Sequence, residues 1–240
     1  MMLSVKVRHE APVEELIRRF PPFAPLQYAK IEQQDHRRWS RHDGASHSHD
    51  VQVVFLGKSG YGKSSIVNAM VGRRVMETSD VAACTRVVQS VEYQLRPGHY
   101  LSFADLPGLG ESQVRDDEYL EIYRNILRKS DVAVYLVRAD NRDFSIDQRA
   151  FDRLFQQNGQ REKAIIVING CDKIEPIHRQ AGRDPTPLQQ ENIKRKIGDL
   201  RSVFSGIEHI VPCSAETGWN LEMLAQTIMD VLARSNGVTL

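Results

Sequence analysis

From residue 51 onward, short apolar runs alternate with longer stretches in which apolar residues recur at helical spacing. Val51 to Leu56 (V-Q-V-V-F-L) reads as a strand and Ser64 to Val71 as the helix that follows it. Arg86 to Leu95 is extended in character, and Tyr100 to Asp105 is a short strand ending on an aspartate. Asp116 to Lys129 predicts a helix, Asp131 to Val137 a buried strand, Asp147 to Gln157 a helix, and Lys163 to Asn169 another buried strand. A polar loop with Pro and Gly spans residues 176–187. The helix Leu188 to Phe204, the strand His209 to Pro212 and the helix Leu221 to Ala233 complete the series. Unbroken runs of Val, Ile and Leu suit strands covered on both faces. The pattern predicts an α/β fold, a mostly parallel sheet with helices on both faces.

Residues 1–50 read differently, as an N-terminal extension that is partly helical and ends in a polar linker, ahead of a domain spanning 51–240. Val13 to Phe20 (V-E-E-L-I-R-R-F) predicts a short amphipathic helix, stopped by Pro21, Pro22 and Pro25. A second helix is expected from Leu26 to about Trp39. His42, His47 and His49 sit in a polar stretch and read as a solvated linker, since no second ligand cluster accompanies them.

The chemistry begins at Gly57 to Ser64, G-K-S-G-Y-G-K-S, which fits the phosphate-binding pattern G-x-x-x-x-G-K-[ST]. Such a loop turns its backbone N–H groups inward toward an anion, and the helix after it adds its positive N-terminal end. Lys58, Ser59, Gly60, Tyr61, Gly62, Lys63, Ser64 and Ser65 are the expected contacts to a nucleotide. Lys63 is expected to reach the β- and γ-phosphates, and the Ser64 hydroxyl to hold Mg²⁺.

Further motifs fall where strands end, which is where open α/β sheets bind ligands. Asp105-Leu106-Pro107-Gly108 places a carboxylate for Mg²⁺ and a Gly108 N–H that can sense a γ-phosphate. Thr85, favoured over Thr78 and Ser79, is expected to complete the Mg²⁺ shell. Lys63, Thr85 and Gly108 are thus the candidate catalytic positions, and Ser64, Thr85 and Asp105 the candidate metal positions. Asn169-Gly170-Cys171-Asp172 supplies a carboxylate that can accept from guanine N1–H and its 2-amino group, a pattern adenine lacks. Ser214-Ala215-Glu216 offers backbone N–H groups for guanine O6.

Composition changes little. A net charge of +1 gives no overall field toward nucleic acid or an anionic membrane. Cys84, Cys171 and Cys213 are far apart, lack metal-ligand spacing and read as reduced thiols. No apolar run approaches the ~20 residues of a membrane span. With no signal-peptide pattern at the N-terminus, the expected compartment is the cytoplasm.

These motifs, in this order, resemble the GTPase domain over Val51 to Ala233. The chain looks like Era/TrmE-like bacterial P-loop GTPases and is most similar to the prophage-associated YfjP-like group, which carries a 50S ribosome-binding label. The resemblance implies a six-stranded, mostly parallel sheet, binding of GTP and GDP, Mg²⁺ dependence and slow GTP hydrolysis in the service of a molecular switch. It brings ribosome or RNA as a partner class. Three departures matter. Gly170 stands where relatives carry the lysine of N-K-x-D, which leaves Lys173 as a partial substitute. Leu109 stands where Ras-like proteins orient water with glutamine. Gly60 replaces the asparagine of potassium-activated relatives. Together they predict a poor solitary hydrolase that draws a group from a partner or a second copy. Glu111, Ser112, Arg86, Arg115 and Arg142 are candidates for that group, though each reads more plainly as a surface polar residue.

The P-loop form S-G-Y-G-K-S-S is also similar to septin and immunity-related GTPases. That leaves open an alternative function as a nucleotide-stabilised assembly module, a homodimer with little turnover. An ATPase is a third reading, opposed by Asp172 and by Ser214-Ala215-Glu216. The basic cluster Lys194-Arg195-Lys196 with Arg201 reads as the solvated face of a helix rather than an RNA site.

Overall fold

The computed structural model describes residues 7–31, 49–76, 88–109, 113–156, 159–177, 184–235 and 238–240. The chain enters through β1 (Val7–Ala11), α1 (Val13–Arg19), a 3₁₀ segment (Pro21–Gln27) and the short β2 (Lys30–Ile31). Then come β3 (His49–Gly57), α2 (Lys63–Val71), β4 (Gln89–Arg96), β5 (His99–Asp105), α3 (Gln113–Lys129) and β6 (Val132–Arg138). The remainder is α4 (Ser145–Leu154), β7 (Ala164–Asn169), α5 (Pro187–Val203), β8 (His209–Pro212), α6 (Leu221–Arg234) and β9 (Val238–Thr239).

Seven strands form one sheet in the order β1-β4-β5-β3-β6-β7-β8. All neighbours are parallel except β4 and β5, which pair antiparallel. The strands of the expected six-stranded sheet are present, and β1 extends it at the β4 edge. The reason for the apolar runs is visible at the centre. Val53, Val54, Phe55 and Leu56 of β3, Val132 to Val137 of β6 and Ile165 to Ile168 of β7 have no exposed surface. Each of these strands is covered from both sides. On one face Tyr135 of β6 packs on Phe151 of α4 and Phe204 after α5, with ring centroids 5.5 and 5.7 Å away. On the other, α6 buries Leu224, Ala225, Ile228 and Leu232 completely.

Local signals agree with these elements. Pro187 opens α5 behind a capping box, in which Thr186 and Gln189 exchange side-chain and backbone hydrogen bonds. Gly72 closes α2 at φ 84°, the left-handed stop that ends many helices.

The expected helix from Val13 is α1. The second expected helix is not formed over its described part, Leu26 to Ile31. The 3₁₀ segment that contains Pro21, Pro22 and Pro25 runs on through Leu26 and Gln27. Lys30 and Ile31 then pair antiparallel with Thr239 and Val238. This entry segment contributes core. Leu16, Phe23 and Leu26 are at most 1% exposed. Phe23 lies 5.8 Å from Phe103 of β5, and Arg96 at the end of β4 donates to the carbonyls of Gln27 and Ala29 at 3.1 and 2.7 Å. His42 and His47 lie outside the described residues.

Candidate nucleotide-binding site

The phosphate loop runs from the buried end of β3 into α2, with Gly57, Gly60 and Gly62 at positive φ. Its curvature points Lys63 back into the loop. The lysine is 6% exposed, and its ammonium donates to the carbonyls of Gly57 at 3.3 Å and Lys58 at 3.0 Å. A cation held in this way stands at the loop mouth, ready to meet an anion.

Beside it in the first turn of α2, the Ser64 hydroxyl donates to Asp105 Oδ2 at 2.5 Å. Asp105 closes β5 and is fully buried. Its other oxygen, Oδ1, has no hydrogen-bond partner among the described residues. Burial pushes its carboxyl up from an ordinary 3.8 to about 6, against the opposing pull of the Lys63 charge and the Ser64 hydrogen bond. A bare, buried acceptor oxygen beside a serine hydroxyl suits a hard divalent cation reached directly or through water. Ser64 and Asp105 therefore fit Mg²⁺.

The segment after Asp105 lies against the phosphate loop. The Leu109 N–H donates to the Gly57 carbonyl at 3.2 Å, and the Ser59 N–H donates to the Leu109 carbonyl at 2.9 Å. Leu109 itself is buried, so its side chain faces the core. Gly108 approaches Ser59 so closely that a β-carbon on it would stand 2.5 Å from Ser59 Cα.

On the far side of the loop, Asn169 ends β7 and joins the two loops that flank it. Its Nδ2 donates to the Tyr61 carbonyl at 3.0 Å, while its Oδ1 accepts from the N–H groups of Gly170 at 2.9 Å and Ala215 at 3.0 Å. Asp172 follows in a 3₁₀ turn, and its Oδ1 accepts from the buried Ser214 hydroxyl at 2.5 Å. The Ser214 N–H is taken by the Trp219 carbonyl, and Thr217 N–H donates to Ser214 Oγ. Ala215 is half-buried and Glu216 exposed at the same rim. Gly170 has φ 78°, and the Lys173 stem passes 3.9 Å from where a β-carbon on Gly170 would stand. Of the expected groups, Lys63, Ser64, Asp105, Asn169 and Asp172 lie at the carboxyl ends of β3, β5 and β7, with Ser214 following β8.

The sequence profile described as "50S ribosome-binding GTPase" matches residues 52–170. The protein YfjP of Escherichia coli (strain K12) is 36% identical over 76% of this chain and 62% of its own length. GTPase Era of Aquifex aeolicus (strain VF5) is 27% identical over 75% of the chain and 56% of its own length. The chain has the P-loop GTPase fold, and its residues 52–170 are similar to the GTPase domain of this family. It spans about three-fifths of the length of the curated relatives it matches. Among solved structures, a variant of A. aeolicus Era bound to GDP and AlF₄⁻ is 26% identical with a TM-score of 0.62, over 78% of this chain and 58% of that one. Toc33 of Arabidopsis thaliana with Mg²⁺ and GMPPNP has a TM-score of 0.61 over 94% of this chain and 93% of its own, at 19% identity, a likeness of fold alone.

Thr85, Arg86, Glu111 and Ser112 lie outside the described residues. Arg115 falls in α3, and Arg142 is an exposed residue of the loop after β6. Lys58 holds its ammonium 5.4 Å from the centre of the Tyr61 ring. In the sequence Tyr61 reads as one more residue of the loop. In the structure its ring turns inward and is 6% exposed. Its hydroxyl donates to Asp147 Oδ2 at 2.8 Å and accepts from Asn141 Nδ2 at 2.8 Å. Asp147, in the first turn of α4, is fully buried and also accepts from the Tyr135 hydroxyl at 3.2 Å. The available signal is an aspartate at the start of a predicted helix, which gives no sign that the residue faces inward.

Proposed function

We propose that the chain binds GTP and GDP with Mg²⁺ and hydrolyses GTP slowly, as a switch whose state a partner reads. The observation that supports this most directly is the Asn169 bridge. One side chain holds the phosphate loop at Tyr61 and the rim loop at Ala215, so the two loops keep a fixed relation.

In this reading the loop N–H groups and Lys63 bind the phosphates. Ser64 and Asp105 hold Mg²⁺, which when bound neutralises charge on the β- and γ-phosphates. Asp172 accepts from the guanine edge, with Ser214 fixing the rotamer of its carboxylate. Lys173 contributes the alkyl stem that Gly170 lacks, and covers one face of the base. The Gly108 N–H senses the γ-phosphate, and Thr85 completes the metal shell when that phosphate is present. Turnover is slow because Leu109 is packed into the core and offers no polar group to align water.

Phosphate release tests this. Wild-type protein is expected to release phosphate from GTP and not from ATP, and Lys63→Ala to release none. Equal release by Lys63→Ala would sink the assignment. The family label supports one finer reading, a ribosomal partner that distinguishes the two nucleotide states. Cosedimentation with 50S particles is then expected with a GTP analogue and not with GDP, and identical profiles would remove it.

A further inference from the structure

Asp147 is a carboxylate with no exposed surface, and the roles assigned so far make no use of it. Burying a carboxylate is costly unless its oxygens are paired, and an apolar side chain in the same space would serve packing as well. Here both oxygens are paired, Oδ2 by the Tyr61 hydroxyl at 2.8 Å and Oδ1 by the Tyr135 hydroxyl at 3.2 Å. Burial pushes the carboxyl up, while the Tyr61 hydrogen bond and the nearby Lys58 charge favour its ionised form. The site in the first turn of α4 also suits an anion, because the helix N-terminus is positive.

Tyr61 is where these contacts reach the phosphate loop. Its hydroxyl is held by Asp147 and Asn141, its ring lies under the Lys58 ammonium, and its carbonyl is held by Asn169. The loop around it contains Gly57, Gly60 and Gly62, all at positive φ. Glycines permit the anion-cradling curve, but they also make the free loop costly to order. A tether at Tyr61 lowers the ordering cost that a ligand would otherwise bear.

We infer that Tyr61 and Asp147 are positioning residues for the phosphate loop: their hydrogen bond anchors the loop to α4 in its anion-binding curvature before nucleotide arrives. Both side chains are buried, Tyr61 at 6% exposure and Asp147 at none. The inference rests on the nucleotide-binding reading and adds a determinant of affinity, Asp147, that lies outside the sequence motifs.

The experiment measures the affinity and dissociation rate of a fluorescent GDP, with thermal melting recorded in parallel. Tyr61→Phe keeps the ring and removes the hydroxyl. It is expected to weaken GDP binding about tenfold, the scale of a hydrogen bond to a charged group, chiefly by faster dissociation. Asp147→Asn is expected to weaken binding in the same direction. The double variant should be no worse than Tyr61→Phe, since the two act through one contact. Tyr135→Phe is the structural control. It removes the other hydroxyl from the same carboxylate without touching the loop, and should lower the melting temperature while leaving GDP affinity within about twofold. Wild-type binding with Tyr61→Phe unchanged would overturn this inference alone. So would a loss in Tyr135→Phe as large as in Tyr61→Phe, because the effect would then be general core damage. No GDP binding by the wild type would overturn the nucleotide reading, and this inference with it.

Discussion

Gly108 and Ser59 press together, with no room between them for a side chain. A β-carbon on Gly108 would stand 2.5 Å from Ser59 Cα and 2.6 Å from Ser59 N. The hydrogen bonds from Leu109 to Gly57 and from Ser59 to Leu109 hold this contact in place. The segment that would sense a γ-phosphate is therefore laced to the phosphate loop by backbone alone, so its position follows the curve of the loop.

Gly108→Ala should force the two backbones apart. Overpacking of this kind costs about 1–3 kcal/mol, and the loss should appear in urea unfolding of the free protein. GDP affinity should change little, because the clash lies on the γ-phosphate side. Preference for a GTP analogue over GDP should vanish. A Gly108→Ala variant that keeps both its stability and its preference would show that the contact is incidental.

Asp105 makes metal binding depend on pH. Its carboxyl is raised to about 6 by burial, so below that pH the free protein favours the protonated form. The sign follows from linkage. The stability this group contributes is present below the ordinary carboxylate range and is lost as pH rises through about 6. Mg²⁺ requires the ionised form, so its affinity should rise with pH and level off above about 6. Mg²⁺ titrations of GDP dissociation between pH 5 and 8 should show about a tenfold weaker metal effect one unit below the midpoint. Asp105→Asn should abolish the dependence. A metal effect that stays constant across that range would remove Asp105 from the metal site.

Asn169→Ala should damage fold and function together. It leaves the Tyr61 carbonyl and the N–H groups of Gly170 and Ala215 without their side-chain partner. Buried polar groups left unpaired cost about 1–3 kcal/mol each at most, and partial hydration of the rim reduces the sum. A loss of about 2 kcal/mol in urea unfolding is expected, with GDP affinity down at least tenfold. Asn169→Asp keeps the acceptor side and should recover part of the stability.

Much of this was legible in the chain. The central strands are continuous apolar runs because both faces are covered, so they stand out even without alternation. The phosphate loop, Asp105, Asn169 and Asp172 could be placed because their spacing relative to strand ends carries the chemistry. Three features were not legible, for different physical reasons. The strand Val7–Ala11 (V-R-H-E-A) is weakly apolar, and its place is set by pairing with β4, a partner some eighty residues away. The segment from Leu26 keeps helix-forming residues, but the pairing of Lys30 and Ile31 with Thr239 and Val238 overrides them. Asp147 looks like a solvent-facing helix residue until α4 is packed on the sheet and Tyr61 and Tyr135 close over it.

Base selection is the central claim, since Asp172 must discriminate without the lysine that Gly170 replaces. The direct measurement is calorimetric titration of the chain with GDP, a GTP analogue, ADP and an ATP analogue, each with Mg²⁺, repeated on Asp172→Asn. Binding of the guanine nucleotides only is expected, with a roughly hundredfold loss in Asp172→Asn, the upper scale of losing a hydrogen bond to a charged acceptor. Equal binding of both bases, or no binding of either, would contradict it.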